Sequence, residues 1–221
     1  MTQESLSDLA LVACGTLSPE LDHMKSNGLI DPGRIIYTKP GLHQDCRELE
    51  RQLFAAVKRA QEEYDRVIVV YGGKFCYVNS DEPTRTMDRL IEEMGPGVVR
   101  VQATHCMDMV ASEEERERLV EGANVWWMTP GWVKYRDSVF AGWDKGTANE
   151  NFPKHDGGAF VLDGVGLCDE YLNTEPEKIL DMSDWMGLPL QGLHVPLQRF
   201  RDLIFEAAAR LETDRKNGAA E

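Results

Sequence analysis

The chain has 221 residues, 42% of them hydrophobic and 28% charged, which allows one sizeable core in an ordinary globular protein. A net charge of −14 argues against nucleic acid, whose phosphates demand clustered Lys and Arg, and against anionic membrane surfaces. No apolar run nears the roughly 20 residues that span a bilayer, and the polar opening MTQESLSD has no apolar export core, so a cytoplasmic protein is expected.

Leu9–Ala13 (LALVA) is a short apolar run that predicts a buried strand ending at Cys14-Gly15-Thr16. A helix follows from Ser18 to about Gly28, with Ser18 as N-cap and Pro19 at its first position. Arg34–Tyr37 is a second strand, closed by Thr38-Lys39-Pro40-Gly41-Leu42-His43. Asp45 caps a long helix whose Leu49, Leu53, Phe54, Val57 and Ala60 share one face. Val67–Tyr71 and Val98–Val101 flank an amphipathic segment, the pattern of one βαβ unit. They end in Gly72-Gly73-Lys74 with Cys76, and in Thr104-His105-Cys106.

Ser112 and Glu115 form a capping box for another helix. Asn124–Met128 is a fifth strand, closed by Thr129-Pro130-Gly131-Trp132. Val133–Trp143 is helical in pattern, and Lys145–Gly158 is irregular. Ala159–Leu162 is a sixth strand, Pro176–Met186 a helix, Leu188–Leu190 a short seventh strand and Leu197–Leu211 a final amphipathic helix. Residues 1–212 therefore read as a single α/β domain and 213–221 as a frayed polar tail. The expected architecture is one doubly wound, mostly parallel sheet with helices on both faces, Rossmann-like and in the flavodoxin-like order 2-1-3-4-5. The order itself rests on the cysteines: if Cys14, Cys76 and Cys106 meet, strands one, three and four are neighbours, which order 2-1-3-4-5 provides and order 3-2-1-4-5 does not.

Ligands of open parallel sheets bind outside the carboxyl ends of the strands, where these residues fall. Cys14, His43, Cys76 and Cys106 are the expected metal ligands, since thiolate and imidazole suit zinc and would also suit iron. The five cysteines are odd in number and widely spaced, which fits free or metal-bound thiols rather than a disulfide framework. No close CxxC pair is present, and a lone cysteine is more often an apolar filler. Cys46 makes an HxxC pair with His43 and is a substitute ligand; Cys168 is read as packing. His105 is the candidate proton shuttle. A cysteine nucleophile (Cys76 or Cys106) with a histidine base ranks below metal binding. His105 and Cys106 themselves should not pair, because neighbours on extended backbone point to opposite sides.

Gly72, Gly73 and Lys74 form a candidate anion-binding turn, though neither GxGxxG nor a Walker loop. Trp126 and Trp127 are read as core, and Trp132 as lining a pocket able to attract an organic cation. Asn149-Glu150-Asn151 with His155 and Asp156, joined by Asp144, Asp163 and Asp184, forms a polar set weighed as a lid or plain surface.

The segments ACGTLSPEL (Ala13–Leu21), GLH (Gly41–His43), VIVVYGGKFC (Val67–Cys76), THCMDM (Thr104–Met109) and TPGW (Thr129–Trp132) resemble domain-of-unknown-function family 1638. The likeness covers roughly residues 9–200. Where other members carry a YGLCG-like strand end this chain reads YGGKFC, and where others read DC it has His105-Cys106. Members are associated with genes for corrinoid-dependent methyltransfer, including methylamine use. The resemblance thus implies a metabolic role, with a corrinoid protein or methyltransferase as partner, although no DxHxxG-like corrinoid-ligand motif is present. The leading expectation is a metal-binding protein acting on a small metabolite in methyl-group or corrinoid metabolism, with a methyltransferase-like or related transferase activity. A non-catalytic corrinoid- or metal-binding carrier or sensor is the first alternative, and a metal-free cysteine-dependent enzyme the second.

Overall fold

A computed structural model describes residues 5–218. β1 (Ala10–Ala13), β2 (Arg34–Tyr37), β3 (Val67–Val70) and β4 (Val98–Arg100) pair in parallel in the order β2-β1-β3-β4. β5 (Trp126–Met128), β6 (Ala159–Asp163) and β7 (Leu190–His194) form a second parallel sheet in chain order. The α/β class and the order of the first four strands are as the sequence predicts. The single continuous sheet is not: β5 does not pair with β4. On the free edge of β4, the carbonyl of Arg100 accepts a hydrogen bond from the Arg210 guanidinium of the C-terminal helix, where a further strand would pair. The chain after β4 turns instead into the helices Cys106–Val110 and Glu113–Leu119.

Alternation along the strands divides the first sheet's side chains between two cores. Ala10, Val12, Val67 and Val69 pack against the helices Cys46–Gln61 and Met87–Glu93. Leu11, Ala13, Ile68 and Val70 pack against the helix Ser18–Ser26 and the C-terminal helix Gln198–Gly218, through Leu21, Phe200 and Ile204. Leu162 and Val195 of the second sheet's region join that same core, so side-chain packing rather than backbone pairing unites the sheets.

Several local readings change. Ser18 begins its helix inside the first turn, and its hydroxyl bonds Tyr135 Oη at 2.8 Å instead of capping. The run Val133–Trp143 is broken at Tyr135 into Pro130–Lys134 and Arg136–Val139. Lys145–Asn151 is helical, because Asp144 accepts from the Thr147 N–H at 2.7 Å and Ala148 is buried. The seventh strand starts where its predicted span ends, and the last helix continues through Thr213 to Gly218, while 219–221 lie outside the described residues. The helix Leu167–Thr174 lacks a visible capping sequence: the carboxylate of Asp163, four residues ahead, accepts N–H bonds from Val165, Gly166, Leu167 and Cys168. No helix among the described residues is long and apolar enough to cross a membrane.

Candidate functional site

The carboxyl ends of β1, β3 and β4 open on a cavity of about 310 Å³ whose wall includes Cys14, Cys76, Cys106, His43 and His105. Tyr71, Phe75, Met109 and Trp132 supply much of the remaining wall, and among the described residues no Asp, Glu, Lys or Arg side chain lines it. All four residues expected to bind metal thus meet, as does the expected proton shuttle. Cys46 and Cys168 lie elsewhere: Cys46 is half-buried beside the Cys46–Gln61 core, and Cys168 is buried under the second sheet.

Each thiol arrives by its own route. Cys14 directly follows β1 and is hydrogen-bonded to Thr16 Oγ1 at 2.9 Å. Cys76 is carried by the loop after β3, which crosses the loop after β4 at contact distance. A Cβ on Gly72 would stand 2.5 Å from the Cα of His105, so only glycine lets these two backbones meet. The Gly73 N–H then donates to the Ala103 carbonyl at 2.9 Å, and Phe75 N–H to that of Thr104 at 3.3 Å, which ties the loops together.

Cys106 opens the short helix Cys106–Val110. His105 caps that helix, its Nδ1 accepting from the Asp108 N–H at 3.1 Å. The turn from strand to helix lets His105 and Cys106 both line the cavity without pairing to each other. Asp108 anchors the turn further, accepting from Thr104 N–H at 2.8 Å and pairing with Arg199 of the C-terminal helix at 2.9 Å.

Trp132 comes from the second half of the molecule. A Cβ on Gly131 would lie 1.7 Å from the Thr16 carbonyl oxygen, so the chain after β5 rests backbone to backbone on the loop after β1. That seat places Trp132 with its Nε1–H donating to Cys106 Sγ at 3.3 Å and its ring stacked on His43, centroids 5.6 Å apart and 18° from parallel.

Burial raises the pKa of all three thiols. Cys76 is pushed up to about 12, chiefly by desolvation and then by Cys14, while Cys106 goes well above the usual range through burial and the nearby Cys76 and Cys14. Cys14 is raised by burial against the opposing bonds from Thr16 and Tyr71. Burial and mutual proximity thus act in the same direction on Cys76 and Cys106. His43, exposed at the mouth, is lowered by partial desolvation, and His105 is lowered first by burial and then by Arg116. With Nδ1 of His105 accepting the cap bond, its neutral ring carries the proton on Nε2. Among the described residues no three His, Cys, Asp or Glu side chains are grouped as they stand so as to hold a single metal ion.

The glycine turn divides. Gly72 lines the cavity, whereas Gly73 and Lys74 face a neighbouring groove of about 770 Å³. The Gly73 amide donates to the Ala103 carbonyl, and Lys74 sits over the Phe75 ring at 5.2 Å. Within the polar set weighed as a lid or plain surface, Asp144 and Asp163 cap helices, Asp184 pairs with Lys145 at 2.6 Å, and His155 meets Asn124 at 3.1 Å. Trp126 packs edge-on against Phe152, as a core residue should.

Sequence reasoning missed Tyr71 and Thr16. Tyr71 is buried, with its hydroxyl bonded to Thr38 and beside Cys14. A tyrosine ending an otherwise aliphatic strand was the available signal, since a buried phenol needs a partner.

A family model described as "Protein of unknown function (DUF1638)" matches residues 37–204. β1 and Cys14 lie ahead of that span. No curated protein and no solved structure matches the chain.

Proposed function

The chain belongs to the DUF1638 family, and from that premise and the cavity's chemistry we propose a metal-binding protein that acts on a small metabolite. Cys14, Cys76, Cys106 and His43 are its metal donors, and zinc or iron is the class of metal that such soft sulfur and imidazole donors select. The observation that carries this reading is the convergence of three thiols and two imidazoles, from distant parts of the chain, on one wall without carboxylates.

The surroundings suit the role. Trp132 Nε1–H points a hydrogen bond at the Cys106 sulfur and Thr16 Oγ1 pairs with that of Cys14, the outer contacts that orient ligands and temper their charge. A bound metal would supply Lewis acidity toward a substrate oxygen, nitrogen or sulfur. The aromatic wall of Tyr71, Phe75 and Trp132 holds an apolar or methylated body, and His105 presents Nε2–H as proton donor. A cavity of about 310 Å³ stands at the small end of ligand pockets and suits a metabolite better than a corrinoid macrocycle. A corrinoid protein or methyltransferase therefore fits better as a partner than a corrinoid does as an occupant. A metal-free thiol enzyme is disfavoured, because a cysteine nucleophile needs a lowered pKa and these three are raised.

The test is elemental analysis of protein purified under argon. At least equimolar transition metal is expected, falling several-fold in Cys106→Ser. Protein that carries no metal and takes up neither Zn²⁺ nor Fe²⁺ would overturn the reading.

A further inference from the structure

Resting on that metal-site reading, we propose that the group held by Cys14, Cys76 and Cys106 is a cubane iron–sulfur cluster rather than a single ion. The three cysteines follow three adjacent strands, Cys14 directly and Cys76 and Cys106 each six residues past the end of theirs, so three separate loops bring the thiols to one cavity. One zinc reaches its sulfurs at about 2.3 Å and has to draw all of them onto one point. The thiols do not converge in that way among the described residues, yet they face one cavity and lie within electrostatic reach of one another. Donors spread around a shared hollow match a body with several metal corners.

The wall agrees with this assignment. Cubane clusters are bound by cysteine thiolates and tuned by hydrogen bonds to sulfur, burial and exclusion of water. Two of the sulfurs have hydrogen-bond partners here, Thr16 Oγ1 for Cys14 and Trp132 Nε1–H for Cys106, and Cys76 is half-buried. No charged side chain among the described residues competes for the metal. At about 310 Å³ the hollow is far larger than one ion needs.

Binding is a ligand exchange. A cluster arriving on small thiolates exchanges three of them for Cys14, Cys76 and Cys106. Each cysteine forms one sulfur–iron bond and passes its proton to the thiolate that leaves, with no change in oxidation state. One iron is left without a cysteine.

The experiment offers the full chain, under argon, a preassembled four-iron cluster carrying four mercaptoethanol thiolates, and in parallel Zn²⁺ or Fe²⁺ alone. After gel filtration, about four irons and four acid-labile sulfides per chain are expected, with a visible band that dithionite bleaches. Cys14→Ser, Cys76→Ser and Cys106→Ser should each lose most of that iron and sulfide, and Cys46→Ser should keep it. Circular dichroism identifies any variant that has unfolded, and the wild-type uptake decides independently of the variants. A chain that binds one Zn²⁺ or Fe²⁺ but no sulfide overturns the cluster and leaves the metal site standing. A chain that binds neither overturns both, and cluster uptake indifferent to all three cysteines overturns the assignment to this cavity.

Discussion

Trp132 shows how much one side chain can join. Its indole N–H reaches Cys106 while its ring covers His43, so it holds a thiol and an imidazole in one orientation. Trp132→Phe keeps a stacking ring and removes only the donor. Chelator competition should show metal retention about tenfold weaker, the usual scale for losing an outer hydrogen bond. Glu20 is a second instructive residue, fully buried on the helix Ser18–Ser26, with neither carboxylate oxygen hydrogen-bonded and Thr129 Oγ1 unpartnered as well. Burial, helped by Asp163, raises its pKa from 4.5 to about 8. Below pH 4.5 folded and unfolded chains both hold this proton; between 4.5 and 8 only the folded chain does. Stability from this group therefore declines as pH rises and is gone above about 8. Urea unfolding should show a loss of about 2–4 kcal/mol between pH 5 and 9 that Glu20→Gln removes.

Among the elements, the helix Leu167–Thr174 hangs on a single carboxylate. Asp163 ends β6 and accepts four successive backbone N–H bonds, the shortest 2.7 Å from Cys168, while being almost fully buried. Those N–H groups are the ones a helix start leaves unpaired. Asp163→Ala should cost about 2–3 kcal/mol, seen as a lower urea midpoint at unchanged slope, because it removes a cap and strands buried donors. The helix Cys106–Val110 is held differently, by His105 at its start and by Arg199 on Asp108. Its short length is compatible with a fixed Cys106 only through those outside contacts, since five residues make too little helix to stand alone.

Across the whole molecule, the two sheets share a core, and backbone meets backbone between the halves at Gly131 on Thr16 and at Gly41 on Ser138. The Gly131 seat does two things: it closes the joint between the sheets and carries Trp132 over the thiols. A methyl at Gly131 would collide with backbone that has no rotamer to yield. Gly131→Ala should therefore destabilise by about 1–3 kcal/mol. It should also weaken metal retention as far as Trp132→Phe does. Calorimetry and metal titration on the same preparation check both parts.

Much was legible because it depends on local periodicity. Seven strands, the parallel class, the Asp45 cap and the Ser112–Glu115 capping box follow from apolar runs and capping chemistry that act over a few residues. The placing of Cys14, Cys76 and Cys106 at neighbouring strand ends follows from the strand order, which the thiols themselves suggested. What depends on approach across the chain was hidden. Asp163 caps a helix that its own sequence does not announce, and Lys145–Asn151 is helical because Ala148 is drawn into a core. His105 and Cys106 share a wall because backbone turns between them, and at the free edge of β4 the Arg100 carbonyl takes the Arg210 guanidinium rather than a strand. The amino-acid sequence alone set which residues carry sulfur, imidazole and indole and which segments become strands. The tertiary structure decided which of them face each other, because that depends on close backbone contacts such as Gly72 against His105 and Gly131 against Thr16.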